Sequence, residues 1–350
     1  MASTDPLWLP SINYDETEFR KMDSALVMAD GTALGSRAGI RPGDPGLAVS
    51  LAGTTVNVTA GTATCYRSTQ GVYRAYLAAT SPGTLTAANA SFSRIDLVYL
   101  RVWDTAVDSS GLRKADTVYL TGTASASPVA PTPGATEIYI PLATITVPST
   151  GGGGTGAATV SSAVRQLTVA PGGILPVSSA VDIAASGLYA GQVRYNTVSG
   201  GLEIWTGSAW QAQGVWTSFT PTWTAPTNPT LGNGTLVSRW CRVGRMITWM
   251  GTLTLGSTSN GGTGIWNLSL PVTPASGAGL PSWRGVASYF KPGDNDYQGH
   301  SIIAPGGSVA DFVVKTSTNA QSFNNVSNTV PVAAGNGNLL TWSITYEAAS

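Results

Sequence analysis

From Leu47 onward the chain alternates hydrophobic and polar positions in one short run after another, the period of a half-buried β-strand. Leu47–Leu51, Thr54–Thr59, Thr62–Arg67, Val72–Ala79, Arg94–Trp103, Asp116–Thr121 and Glu137–Val147 all read as strands. The most apolar, RIDLVYLRVWD, is expected to be the core strand, and IRPGDPG and SPVAPTPGA are turn and loop signals. This set predicts a β-sandwich or small barrel. Ala158–Val169 alternates again and is expected to add a strand, followed by a Pro-Gly connector, PGGILPVSSAVDI. Val193–Asn196 and Leu202–Trp205 then flank a Thr197–Gly201 turn, and a second turn at Gly207–Ser208 leads to Trp210. A hairpin of this size is marginal alone, so it is expected to pack on neighbouring copies or on the next domain.

Beyond the hairpin, Phe219–Asn228 is an extended Pro-rich lead-in, and Gly234–Gly251 reads as two strands hinged at Gly244–Arg245. In the first, Val237, Cys241 and Val243 point one way and Leu236, Trp240 and Arg242 the other; in the second, Ile247, Trp249, Leu253 and Leu255 share a face. Gly264–Val272, Trp283–Phe290, Tyr297–Ala304, Phe312–Thr316 and Leu339–Tyr346 complete an antiparallel sandwich of jelly-roll type.

One segment has helical period. Phe19, Met22, Leu26 and Ala29 fall on one face of Asp15–Ala29, Asp15 with Glu18 is a capping-box start, and Asp30–Gly31 is the stop. Either this helix packs on its own domain, or it is a docking element for a neighbouring protein, with Trp8 of the preceding Pro-rich arm as a further anchor.

Composition narrows the function. Lys+Arg and Asp+Glu each number 18 in a chain with 10% charged residues, which argues against a nucleic-acid surface. The two cysteines, Cys65 and Cys241, lie in different expected domains, so neither a disulfide nor a metal spacing is expected. No apolar run reaches membrane-spanning length and the N-terminus lacks a signal-peptide pattern, which predicts a soluble protein made in a cytoplasm. Gly151–Gly156 lacks the Lys-Ser/Thr of a phosphate loop and is expected to be a flexible loop or hinge.

Catalysis has few candidates. His300 is the sole histidine and no G-x-S-x-G elbow occurs, which removes the usual nucleophile–base pairs. After Gly214 the carboxylates are Asp294, Asp296, Asp311 and Glu347, a thin choice for the two that glycoside hydrolysis requires. Asp294–Asn295–Asp296 looks like the start of a calcium loop without its Gly and distal Glu, so a solvated turn is the preferred reading, with a weak cation or sugar-hydroxyl site the other. Sugars are held by aromatic faces and by groups that bond hydroxyls. Trp283, Tyr289, Asp294, Asp296, Tyr297 and His300 offer both within one segment, which makes them the glycan-binding candidates. The competing readings place Trp283 and Tyr289 in the sheet or at a subunit interface, and His300 at an ordinary hydrogen-bonded sheet position.

The hairpin YNTVSGGLEIWTGSAWQ resembles the small hairpin at the stalk–tip joint of many bacteriophage tail fibres and minor tail proteins. LGNGTLVSRWCRVGRMITWMGTLTLGSTSNGGTGIWNLSLPV is similar to tail-fibre head domains, and ALVMADGTALGSRAGIRPGDPGLAVS and RIDLVYLRVWDT look like minor tail or baseplate proteins of long-tailed actinobacterial phages. That resemblance implies a homotrimeric virion component attached near the tail tip and carrying a host-recognition head; the lack of a catalytic constellation adds the expectation that it is non-enzymatic, and the polar N-terminus that it is made in the host cytoplasm. Its expected organisation is a docking arm and helix (1–35, through Trp8, Phe19, Met22 and Leu26), a β-sandwich (36–170), a linker and hairpin joint (171–215) and a receptor-binding head (216–350). Its expected partners are other tail or baseplate proteins and a host cell-wall polysaccharide or teichoic acid, with no cofactor, metal, nucleic acid or membrane insertion. The alternatives are a virion-associated glycan-degrading enzyme and a purely structural spacer.

Overall fold

The structure is a computed structural model that describes residues 10–11, 13–316 and 322–349. It is mainly β, with 44% strand and 8% helix, and forms two compact units, Met1–Gln211 and Ala212–Ser350.

The first unit opens with helix α1 (Glu16–Asp23). Asp15 caps it by accepting from the Thr17 and Glu18 amides, while the Glu18 carboxylate accepts from the Asp15 amide, a complete capping box. The helix stops well short of Ala29. A single 3-10 turn, Ser24–Leu26, follows, after which Val27 turns extended and the Met28 amide bonds to the Val169 carbonyl. Burial of Val27, which is 4% exposed, outweighs the helical pattern that continues past it.

Strands β1 (Val49–Ala52), β2 (Thr55–Val58), β3 (Gly61–Arg67), β4 (Gly71–Leu77) and β5 (Thr80–Thr84) make two small antiparallel sheets, β1-β2-β5 and β3-β4. A third sheet runs β7-β6-β8-β9, built from β6 (Arg94–Asp104), β7 (Arg113–Leu120), β8 (Ile138–Val147) and β9 (Thr159–Ser161). Helix α2 (Thr105–Asp108) fills the β6–β7 connection. As its composition predicts, β6 is the core strand, buried continuously from Leu97 to Leu100. Pro141 is accommodated in β8 beside a register shift opposite Val98–Tyr99, away from the Thr144–Thr146 stretch that pairs with β9. The core gathers Ile40, Leu47, Val56, Cys65, Val98, Leu100, Ile140 and Ile145. Inside it lies an ion pair, Arg94–Asp96, 4% and 0% exposed. Arg94 also donates to the Thr86 and Ala87 carbonyls, and Asp96 accepts from the Tyr119 hydroxyl and the Gly122 amide, so each guanidinium nitrogen and both carboxylate oxygens have a hydrogen-bond partner.

Three expectations for this unit change. Ala158–Val169 gives only the short β9, because the chain turns at Ser162–Arg165 and bridges Leu167 to Ile40. The Gly151–Gly156 stretch is folded into two successive 3-10 turns with Gly154 buried, rather than a hinge. The hairpin already has packing partners within its own chain. Its strands β11 (Val193–Asn196) and β12 (Gly201–Trp205) sit in a four-stranded sheet between β10 (Leu175–Val177) and β13 (Trp210–Gln213), in the order β10-β11-β12-β13. The presumed connector supplies β10, parallel to β11, and a short helix α3 (Ala180–Ala184). Arg194 of β11 pairs with Glu203 at 2.6 Å, donates to the Asp182 and Ile183 carbonyls, and lies 3.9 Å above the Trp210 ring. The Trp210 indole N–H donates to the Ala185 carbonyl, and its ring is 5.3 Å from that of Trp205. Both tryptophans are therefore engaged within their own chain.

The second unit is a single curled antiparallel sheet of ten strands. They are β14 (Thr217–Phe219), β15 (Trp223–Thr224), β16 (Thr235–Val243), β17 (Met246–Thr254), β18 (Asn267–Ser269), β19 (Trp283–Phe290), β20 (Asp296–Ile303), β21 (Val309–Lys315), β22 (Phe323–Asn325) and β23 (Leu339–Glu347). The order is β14-β16-β17-β23-β19-β20-β21-β18-β15, with β22 beside β21. The Pro-rich lead-in explains the curl. β14 and β15 occupy the two ends of this order, yet only residues 220–222 separate them, a reach of at most about 14 Å from Phe219 to Trp223. The sheet must bend until its edges nearly meet, and the inner face then encloses the core. As the alternation predicts, β16 and β17 join through Gly244–Arg245, with Val243 opposite Met246 and Gly244 at φ +59°. Ile247, Trp249, Leu253 and Leu255 are all buried inside. Trp249 and Trp342 lie 5.1 Å apart and Trp223 and Trp266 4.8 Å apart, so the tryptophans that concentrate in this half of the sequence are largely core.

Candidate functional site

The proposed docking face is exposed where it is described. Phe19, Met22 and Leu26 are 51%, 45% and 65% exposed; Trp8 lies outside the described residues. Helix α1 is held to its unit by its polar side instead. Arg20 donates to the backbone and side chain of Gln70 and lies 4.6 Å from the Tyr73 ring, and Asp23 pairs with Arg74 at 2.6 Å. Gly71 makes this approach possible. It adopts φ +88°, and a Cβ there would sit 2.6 Å from the Arg20 carbonyl carbon. Beside the helix opens a cleft of about 680 Å³ lined by Phe19, Arg20, Tyr73, Trp103, Arg113 and Lys114.

The glycan-binding constellation does not assemble as the sequence suggested. In β19 and β20 alternate residues face opposite sides of the sheet. Trp283, Tyr289 and Tyr297 point inward. Tyr289 is 1% exposed, packs on Trp266 and accepts a hydrogen bond from the Asn338 amide, and burial pushes its phenol pKa up. Tyr297 is 8% exposed and Trp283 packs against the Tyr346 ring at 6.3 Å. Asp296 and His300 lie on the outer side, His300 with its ring 4.8 Å from Phe323. Asp294 sits in the Lys291–Asn295 turn, where Lys291 pairs with it at 3.4 Å and the Asn295 amide donates to it. The segment therefore divides into core aromatics and exposed polar groups, and Tyr289 in particular cannot stack on a sugar. Alternation alone would have revealed the split, because Tyr289 and Tyr297 are register partners in phase with buried Ala287 and Ser301.

The outer face of the same sheet carries a feature the sequence reading passed over. A groove of about 460 Å³ runs across β14, β16, β17 and β23, with outward-facing Ser218, Val237, Arg239, Met250, Thr252, Thr341 and Ser343 along it. The register makes this one continuous surface: Ser218 faces Arg239, Arg239 faces Met250, and Met250 faces Ser343. The Arg239 guanidinium lies 5.0 Å from the ring of Trp216, which is 40% exposed. The signal was present in sequence, since Arg239 alternates in phase with exposed Val237 in TLVSRWCRV, but only the fold brings Trp216 to it.

Among the described residues no group of three metal-capable side chains comes together, and no helix is long and apolar enough to cross a membrane. The chain matches no protein-family model, no curated protein and no solved structure.

Proposed function

We propose that this chain is a non-enzymatic virion component of a phage tail tip, bound to other tail or baseplate proteins through its N-terminal region and to a host cell-surface glycan through its C-terminal unit. The observation that carries the binding half is the outer-face groove, where the Arg239 guanidinium and several hydroxyls line one sheet face and exposed Trp216 lies beside that guanidinium. An exposed aromatic beside hydrogen-bonding groups is chemistry suited to a sugar, and sheet-borne side chains are already positioned. The attachment half draws on the exposed stripe Phe19, Met22 and Leu26, an apolar cluster of a kind found at partner interfaces. The sequence resemblance to tail-fibre heads and to minor tail proteins supplies the virion setting, and with it the reading of the curled sheet as a jelly-roll-like head in a homotrimer. Three copies would raise effective concentration on a repetitive surface, so weak individual sites suffice.

Incubating the purified protein with bacterial cell-wall glycans tests this. Saturable co-sedimentation without released fragments is expected. Shortened chains would instead make the protein a glycan-degrading enzyme, and absence of binding would leave a structural spacer.

A further inference from the structure

Resting on the glycan-binding reading, the charge around the outer-face groove narrows its ligand. Arg239 is exposed and has no acidic partner among the described residues. The four carboxylates of this unit are engaged elsewhere: Asp294 with Lys291, Asp296 with Gln298, Asp311 with Asn267 and Glu347 with Arg245. None of them lines the groove. The hydroxyls of Ser218, Thr252 and Ser343 stand along it, with Thr341 bonded to Ser288 at its far side. A second exposed cation, Arg284, projects from the same outer face in phase with Val286. Val286 pairs with Ser343, which puts Val286 three strands from Arg239, and Arg284 lies two residues further along β19, about 16 Å from Arg239 at the backbone. Two arginines borne on one sheet face three strands apart, with the Ser343 hydroxyl on a strand between them, suit a repeating anionic chain better than a single small anion.

We infer that the groove binds an anionic polyol or glycan chain, one whose repeating units carry hydroxyls together with phosphate or carboxylate. Arg239 takes the anionic oxygens through its planar fork, which matches phosphate and carboxylate geometry in a way Lys does not. Trp216 holds the guanidinium in place and offers its exposed ring to the apolar face of the repeating unit. Thr252, Ser343 and Ser218 bond the hydroxyls, and Arg284 meets a second anionic group along the chain.

Titration calorimetry of the full-length protein with poly(glycerol phosphate), polygalacturonate and neutral dextran tests this. Wild type is expected to bind one or both anionic polymers, more weakly as salt rises, and to ignore dextran. Preference between the two anionic polymers assigns the anionic group as phosphate or carboxylate. Arg239→Gln should lose at least tenfold in affinity with an unchanged melting temperature, Arg239→Lys should recover only part, and Arg284→Gln should weaken the polymer but not its monomeric unit. Wild-type affinity in Arg239→Gln, or equal binding of dextran, overturns the inference. So does a drop in solution mass on that substitution, which would make the groove a contact between copies of this chain. The glycan-binding reading fails separately, if wild type sediments with no wall preparation at all; walls bound equally by wild type and Arg239→Gln sink only the assignment of this groove.

Discussion

Replacing Tyr289 separates a ligand from a core residue. The side chain is 1% exposed, its ring lies 6.2 Å from that of Trp266, and its hydroxyl accepts from the Asn338 amide at 3.0 Å. Tyr289→Ala leaves a cavity under the β19–β23 pairing, and deleting a buried aromatic ring typically costs about 3–5 kcal/mol. Tyr289→Phe keeps the ring and removes only the acceptor. Asn338 is itself 3% exposed, and its amide nitrogen then retains only a long contact, 3.5 Å, to the Ala333 carbonyl. An unsatisfied buried N–H costs about 1–3 kcal/mol, and the residual contact places this variant toward the lower figure. For a unit of this size the Ala variant should therefore melt about 10–20 °C lower, and the Phe variant a few degrees lower. Urea and thermal unfolding followed by tryptophan fluorescence read both shifts, since most of the tryptophans are in this unit. Wall binding by Tyr289→Phe at low temperature should equal wild type. An Ala variant that unfolds at the wild-type midpoint yet loses binding would refute the burial argument and restore Tyr289 as a ligand.

Three further outcomes follow from the first unit and the cysteines. Asp96→Ala removes the partner of a 4% exposed guanidinium and should destabilise the N-terminal unit by about 3–5 kcal/mol, read as a lower unfolding midpoint; a shift under 1 kcal/mol would show that the pair is solvated. Gly71→Ala adds a Cβ 2.6 Å from the Arg20 backbone at φ +88°, so it should lift α1 off β4 and raise proteolysis near Phe19, detectable by mass spectrometry of limited digests. Burial pushes the Cys65 thiol up to about 12, whereas Cys241 lies on the outer face, so a thiol reagent at pH 8 should label one cysteine in the folded chain and two in denaturant. Prompt labelling of both in the native state would contradict the burial of Cys65.

Period-two alternation carried most of the fold. The β16–β17 hairpin, its Gly244–Arg245 turn and the inward set Ile247, Trp249, Leu253 and Leu255 were legible because side-chain direction along a strand is fixed by the backbone. β5 was not, since Pro82 and Gly83 read as a break while its pairing with Thr55 and Val56 is set by tertiary contact. The helix was placed correctly at its cap, where Asp15 and Glu18 act locally, and incorrectly at its end, where the Met28–Val169 pairing from far along the chain decides. The single continuous sheet was hidden for the same reason: strand order is non-local, and the short 220–222 link brings the two edges near each other only once that order is known. Proximity in sequence likewise grouped Tyr289 with Asp296 although they face opposite sides of the sheet, while Arg239 and Ser343, far apart in sequence, line one groove and Trp216 lies against Arg239.

Co-sedimentation of the intact protein with purified bacterial cell walls, with the supernatant assayed for released sugar, tests the central claim most directly. The account predicts saturable binding, lowered by salt and by Arg239→Gln, with no sugar released over long incubation. Release of soluble fragments, or the absence of binding to every wall tested, would contradict it.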